Sequence, residues 1–305
     1  MDVIRIKKKL FITFLIVIFF IIGVLLVTNK QENVNDIINR SINESQETSN
    51  RDEESNKVED KDDGDDEESD VRPVSEFKEL ITETVYRAQD FFSIKNHHIT
   101  ALGDSLTQGS GDETNNGGYI GILDDTINHD KDVVQIENFA IHGHRTDQLL
   151  ARLDDGEVID SIQDTDIVLI TIGANDIMQV AKENFTNLTF EMFDEERDQF
   201  EVRLNEILSG IKDLNPDTHI YLIGLYNPFE QYFQDIEELD DIVDDWNETS
   251  EMIVKNYEKT TFIPIKDLFE DAEGSLFSDD KFHPNTTGYQ LMANRVLDYI
   301  IEVDR

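Results

Sequence analysis

Five short apolar runs, each bounded by polar residues and separated by stretches of helical periodicity, constrain this chain more than any other feature. They read HITALG, VVQIENFAI, DIVLITIG, HIYLIGLY and TFIPI, in order from His98 to Ile265. Runs apolar on both strand faces cannot lie half-exposed; they belong in a parallel sheet covered on both sides. Helical stretches fall between and after them, most clearly around 117–128, 146–153, 195–214, 234–257 and 286–302. Within 195–214, Phe200, Leu204, Ile207, Leu208, Ile211 and Leu214 line one stripe. A further stripe upstream carries Phe77, Leu80, Ile81, Val85, Ala88, Phe91 and Phe92. The alternation predicts a three-layer α/β/α sandwich around a five-stranded parallel sheet. In such sheets, functional groups gather at the carboxyl ends of the strands.

The first 72 residues are of another kind. Residues 1–9 are a basic flank holding Arg5, Lys7, Lys8 and Lys9, followed by an uncharged apolar run from Leu10 to Val27. At 1.5 Å per residue such a run reaches about 27 Å, close to the hydrocarbon thickness of a bilayer. The basic flank would stay in the cytoplasm, which puts the remainder outside. The rival is a cleaved signal peptide, whose apolar region is shorter and ends in small residues; VLLVTNKQ carries no such site. The expectation is a single-pass membrane anchor with an extracellular domain, or a secreted domain if the segment is cleaved. Residues 28–72 are rich in acids and poor in large apolar side chains. They are expected to be a disordered linker spanning roughly 40 Å or more. The folded domain is therefore 73–305.

Composition removes several functions. The net charge of −41 would repel nucleic acid phosphates, so no nucleic-acid partner is expected. With no cysteine, the chain has no disulfide, thiolate metal site or cysteine nucleophile.

Chemistry-bearing residues stand at the predicted strand ends. In ALGDSLTQGSG, Gly103 and Gly109 permit a tight turn and Ser105 would expose its hydroxyl above the sheet. Ser105 to Gln108 also reads S-x-x-Q, a capping box in which the serine merely opens a helix. In NFAIHGHRTDQLL, Gly143 brings its backbone N–H close to a ligand or simply makes a turn. In TIGANDIM, Asn175 marks a strand-to-helix junction, where an N-cap is the plain reading. After the fifth run, SDDKFHPNTTGYQ places Asp280 three residues before His283.

Taken together, GDSL, the N…G of the second block, GAND and DKFH, in this order, resemble the SGNH or GDSL hydrolases, a group of serine esterases and lipases. The resemblance covers about residues 97–290 and is nearest to membrane-anchored or secreted acylhydrolases of Gram-positive bacteria. It implies a flavodoxin-like sheet, with Ser105 as nucleophile, His283 as general base and Asp280 as the residue orienting that histidine. It further implies an oxyanion hole built from the backbone N–H groups of Ser105 and Gly143 and the side-chain amide of Asn175. No cofactor or metal is called for. The substrate is a small-molecule or lipid ester. O-acetyl groups on cell-wall or extracellular sugars are the alternative, and a non-catalytic surface-binding protein is a third reading.

Other motifs have plainer readings. His142 and His144 flank Gly143, and His97 and His98 precede the first strand; without metal-type spacing they read as polar loop residues. NNGG at 115–118 lacks the lysine of a phosphate loop and reads as a turn. Tyr226, Phe229, Tyr232 and Phe233 follow the fourth strand and suggest an acyl-binding wall, with a core-covering loop as the alternative. Trp246 shares a helical stripe with Ile242, Val243 and Ile253 and is expected in the core.

Overall fold

In a computed structural model of the chain, the described residues are 87–88, 90–92, 97–129, 131–184, 186–227, 237–270 and 276–303. The elements below belong to the unit formed by residues 73–183 and 189–305. The expected anchor at 10–27, the linker, most of the first helical stripe, and Phe229, Tyr232 and Phe233 lie outside the described residues. Among the described residues, no helix is long and apolar enough to cross a membrane.

Five parallel strands form the sheet: β1 (His97–Gly103), β2 (Val134–Asn138), β3 (Ile167–Thr171), β4 (His219–Ile223) and β5 (Thr260–Ile263), in the order β2-β1-β3-β4-β5. β3 is buried along its whole length, as a continuous apolar run requires, whereas edge strand β2 is half-exposed. Alternation assigns its residues to two cores. Ile99, Ala101, Ile167, Leu169, Tyr221 and Ile223 join one cluster with α2 (Gly118–Ile127) and α9 (Thr286–Val303). Leu102, Val168, Ile170, Ile220 and Leu222 are equally buried but belong to the opposite face. There α6 (Phe190–Leu214) packs against α3 (Thr146–Arg152), α4 (Gly156–Asp164), α5 (Ala174–Glu183) and α7 (Glu237–Val254). Trp246 of α7 is 1% exposed and lies against Phe200 of α6, as the stripe predicts.

Two short helices, α1 (Ser105–Gln108) and α8 (Lys266–Phe269), follow β1 and β5. α4 and α5 were not read individually from the sequence, because few apolar side chains carry their buried faces: Val158 and Ile162 in one, Val180 and Ala181 in the other. His97 and His98 lie within β1 rather than before it, since their N–H and C=O groups join the ladder to β2 and the β3 junction.

The strand order sets where a ligand can sit. The chain leaves β1 for β2 on one side, then returns to β3 on the other, so a crevice opens between the carboxyl ends of β1 and β3. The junctions after β1, β2 and β3 carry Ser105, Gly143 and Asn175.

Candidate active site

Ser105 is held by the turn that ends β1. Gly103 has φ +130, and a Cβ there would stand 2.1 Å from the Thr171 carbonyl oxygen of β3, so only glycine lets the strands approach this closely. Asp104, not Ser105, is the N-cap of α1: its carboxylate accepts from the Leu106 N–H at 3.1 Å and from the Thr171 hydroxyl at 2.8 Å. The capping-box reading of Ser105 is thereby corrected, because the serine is the first helical residue and its hydroxyl is directed elsewhere. Burial pushes Asp104 up to about 6, against the pull of its two bonds and of the nearby His283. Behind it, the Tyr119, Thr107 and Thr171 hydroxyls are linked at 2.8 Å each. With Asp104 ionised and accepting, this chain has one direction, each hydroxyl donating toward the carboxylate.

The Ser105 hydroxyl meets His283, 178 residues further along, at 2.9 Å from Nε2. The other ring nitrogen, Nδ1, lies 2.5 Å from Asp280 Oδ2. Asp280 Oδ1 accepts three more bonds, from the Ser278 hydroxyl at 2.8 Å and from the Phe282 and His283 N–H groups at 2.9 Å each. Partial burial works to raise Asp280, but the His283 bonds and charge outweigh it and hold the carboxyl well below its usual range. An ionised Asp280 can only accept, so Nδ1 carries the proton and Nε2 presents a lone pair to the serine hydroxyl. Ser105 and His283 are 5% and 8% exposed, which keeps the couple poorly hydrated.

The second and third junctions lie alongside. After β2 the loop stays tied to β1 through Phe139 N–H to the Ala101 carbonyl and Ile141 N–H to the Gly103 carbonyl, at 2.8 and 3.0 Å. Asn138 donates to the Thr107 carbonyl at 2.8 Å, joining this loop to the serine helix. Gly143 has φ +79 with no atom within 4 Å of a would-be Cβ, so its peptide borders open space. Asn175 is the second residue of α5, not its cap; its side-chain N–H₂ donates to the His144 carbonyl at 3.0 Å. That bond uses one amide hydrogen and leaves the second for a ligand.

His142 is near the couple, its ring 5.5 Å from that of His283 and its Nδ1 3.0 Å from the Ser110 hydroxyl. Its own burial and the His283 charge depress it, favouring a neutral imidazole. Among the described residues, no group of three or more His, Cys, Asp or Glu side chains is placed to hold a metal.

The profile of the GDSL-like lipase/acylhydrolase family matches residues 101–291. The chain belongs to this family. It is 40% identical over 206 residues to the uncharacterized protein YpmR of Bacillus subtilis, covering 66% of this chain and 80% of that one. It is 25% identical over 214 residues to the spore germination lipase LipC of Bacillus licheniformis, covering 65% and 93%. Its fold is similar to that of the lipase Lip_vut3 from a goat rumen metagenome, with TM-score 0.59 at 23% identity over 68% of this chain and 97% of that one. It is also similar to a catalytic mutant of Axe2, an acetylxylan esterase from Geobacillus stearothermophilus, with TM-score 0.53 at 20% identity over 68% and 94%.

In this GDSL hydrolase, two residues that frame the site have roles that the sequence does not announce. Asp112 is 7% exposed, and its carboxylate gathers the Thr114, Asn116 and Gly118 N–H groups and the Thr286 hydroxyl. It shapes the turn at 115–118 and links it to the start of α9, just beyond His283. Tyr226 is 6% exposed, stacks on Phe269 at 4.2 Å and donates to the Phe282 carbonyl at 2.7 Å. It therefore braces the acid–base loop from within the core, and the acyl-wall reading fails for this residue. The adjoining glycine-rich and aromatic strings offered only a turn and a rim.

Proposed function

We propose that this protein is an extracytoplasmic serine esterase or lipase that cleaves carboxylic esters through an acyl-serine intermediate. The observation that carries the reading is the Ser105–His283–Asp280 chain, with 2.9 Å from hydroxyl to Nε2 and 2.5 Å from Nδ1 to carboxylate. A serine hydroxyl becomes a competent nucleophile when a base within hydrogen-bond reach takes its proton. His283 takes that proton as Ser105 Oγ attacks the ester carbon, then returns it to the leaving alcohol. Asp280 keeps Nδ1 protonated and stabilises the imidazolium without itself taking the proton. Water then attacks the acyl-serine by the same route in reverse, releasing the acid and restoring the hydroxyl. The Ser105 and Gly143 N–H groups and the free Asn175 amide hydrogen receive the charge that develops on the carbonyl oxygen. Each such donor is worth about 2.7–4 kcal/mol of barrier.

The apolar run at 10–27 supports a membrane tether, and the acidic stretch at 28–72 a spacer that holds the domain at 73–305 clear of the surface. A second reading, O-acetyl ester removal from extracellular sugars, is favoured by the polar His142 and Ser110 pair beside the couple. A fluorophosphonate probe should label the wild type and leave Ser105→Ala unlabelled; labelling that persists in the variant overturns the nucleophile assignment. A p-nitrophenyl ester panel separates the two readings. A maximum at acetate with no turnover of octanoate selects the deacetylase, and turnover of the longer ester selects the lipase.

A further inference from the structure

The loop carrying Gly143 is tied in its middle by the Asn175 amide, which donates to the His144 carbonyl at 3.0 Å, and by the His142 bond to Ser110, and it is anchored at both ends. One anchor is the Ile141 N–H bond to the Gly103 carbonyl, at 3.0 Å. The other is Thr146, the first residue of α3, whose N–H and hydroxyl both bond a residue from another junction. Asp176, next in the chain after Asn175, is 0% exposed. Its two oxygens receive the Thr146 N–H at 3.2 and 3.1 Å, and Oδ1 also accepts the Thr146 hydroxyl at 2.5 Å. Arg203 of α6 closes the cluster, donating to Asp176 Oδ1 at 3.2 Å and to the Thr146 hydroxyl oxygen at 2.7 Å, while pairing with Glu196 on its own helix.

The chemistry of α3 explains the need. A helix start leaves backbone N–H groups without intrahelical partners, and a polar N-cap side chain normally accepts one of them. The residue at the α3 N-cap is Arg145, whose guanidinium can only donate. Asp176, 30 residues away, supplies an acceptor for the first of these N–H groups, that of Thr146. A buried charge is a costly way to hold two loops together, and apolar contact would do so at less expense. What the carboxylate adds is direction: bonding both the N–H and the O–H of one threonine fixes the orientation of the α3 start as well as its distance.

We propose that Asp176, acting through Thr146 and Arg203, is a positioning residue that locks the Gly143 loop and the Asn175 helix start in one register, so that both oxyanion donors face the same point. This rests on the hydrolase reading above. A misplacement of about 1 Å in such a donor can cost on the order of 10²-fold in rate.

The test uses Asp176→Asn, Thr146→Val and Thr146→Ser, with ester kinetics, thermal unfolding and amide hydrogen exchange. Asp176→Asn should lower kcat by about 10–100-fold with KM within threefold of wild type. Thr146→Val should lower kcat by about tenfold, and Thr146→Ser, which keeps the hydroxyl, should restore it to within about threefold. In the first two variants the amides at 143–146 should exchange roughly tenfold or more faster, while those of β3 keep their protection. A kcat within threefold of wild type in Thr146→Val, an effect on KM alone, or unchanged exchange at 143–146 would each overturn the proposal. If Asp176→Asn does not fold, the threonine pair decides alone. Failure of the hydrolase reading has a different signature: the wild type itself shows neither turnover nor fluorophosphonate labelling, and exchange at 143–146 then settles the clamp independently.

Discussion

Asp280→Asn separates a proton-orienting role from a loop-holding one. The amide oxygen can remain at the Oδ1 position and keep the Ser278, Phe282 and His283 bonds. The amide nitrogen then faces Nδ1 of His283, where Asp280 Oδ2 stood. Two donors cannot share that bond, so His283 must shift its proton to Nε2, which then no longer accepts from Ser105. The escape is to flip the amide, which points N–H₂ at the His283 and Phe282 N–H groups instead. The part-buried His283 N–H would lose its acceptor at about 1–3 kcal/mol, while water largely replaces the bond of the exposed Phe282 N–H. Even the flipped form lacks the charge that strengthens the imidazolium bond, about another 1–1.5 kcal/mol. The sum, about 2–4.5 kcal/mol, corresponds to roughly 30- to 2,000-fold in rate. The change in tautomer in a serine protease triad costs about 10⁴-fold, a sensible upper bound. Ester kinetics with thermal unfolding as a control should therefore show kcat/KM down by about 30- to 2,000-fold, and by no more than about 10⁴-fold, in a variant that still unfolds cooperatively. A loss below tenfold in a folded variant would show that the carboxylate does not set the tautomer, and the proton relay would have to be abandoned.

Three further outcomes follow from the same geometry. Asp104 has a folded pKa of about 6 against an ordinary 3.8, so its contribution to stability is full below the ordinary value and is lost as pH rises through about 6. Asp104→Asn keeps both Oδ1 bonds, so from pH 4 to pH 8 it should gain on wild type by up to about 3 kcal/mol in denaturant unfolding; a gap that stays constant with pH refutes this. Asn175→Ala should cut kcat by about 10²–10³-fold with KM within threefold, and steady-state turnover within fivefold of wild type would remove the amide from the oxyanion hole. Tyr226→Phe keeps the ring stack but drops the bond to the Phe282 carbonyl, lowering stability by about 0.5–1.5 kcal/mol and leaving the acyl chain-length profile unaltered. A shifted profile would return Tyr226 to the substrate.

What the linear sequence determined is everything that depends on local repetition or on which residue types stand where. The central strands show as apolar runs because both their faces are buried, and even the half-exposed edge strand β2 stands out between polar flanks, so all five were legible with their order along the chain, as were the helices whose stripes span several turns. Ser105, Gly143, Asn175, Asp280 and His283 were singled out by the resemblance of their four blocks, in order, to the SGNH hydrolases, since each residue alone had a plainer reading as a cap, turn or loop. Helices α4 and α5 were not, since a stripe of two apolar residues does not stand out from chance. Tertiary structure alone decided the partners. Nothing local to Asp176 says that it caps a helix begun by Thr146, and nothing in the tyrosine of LYNPF says that its hydroxyl reaches the Phe282 carbonyl. Hydrogen bonds of this kind join residues 30 to 178 positions apart, and only the parallel sheet, which sets the carboxyl ends of its five strands side by side, brings them into range. Periodicity encodes which face of an element is buried; it carries no record of what that face will meet.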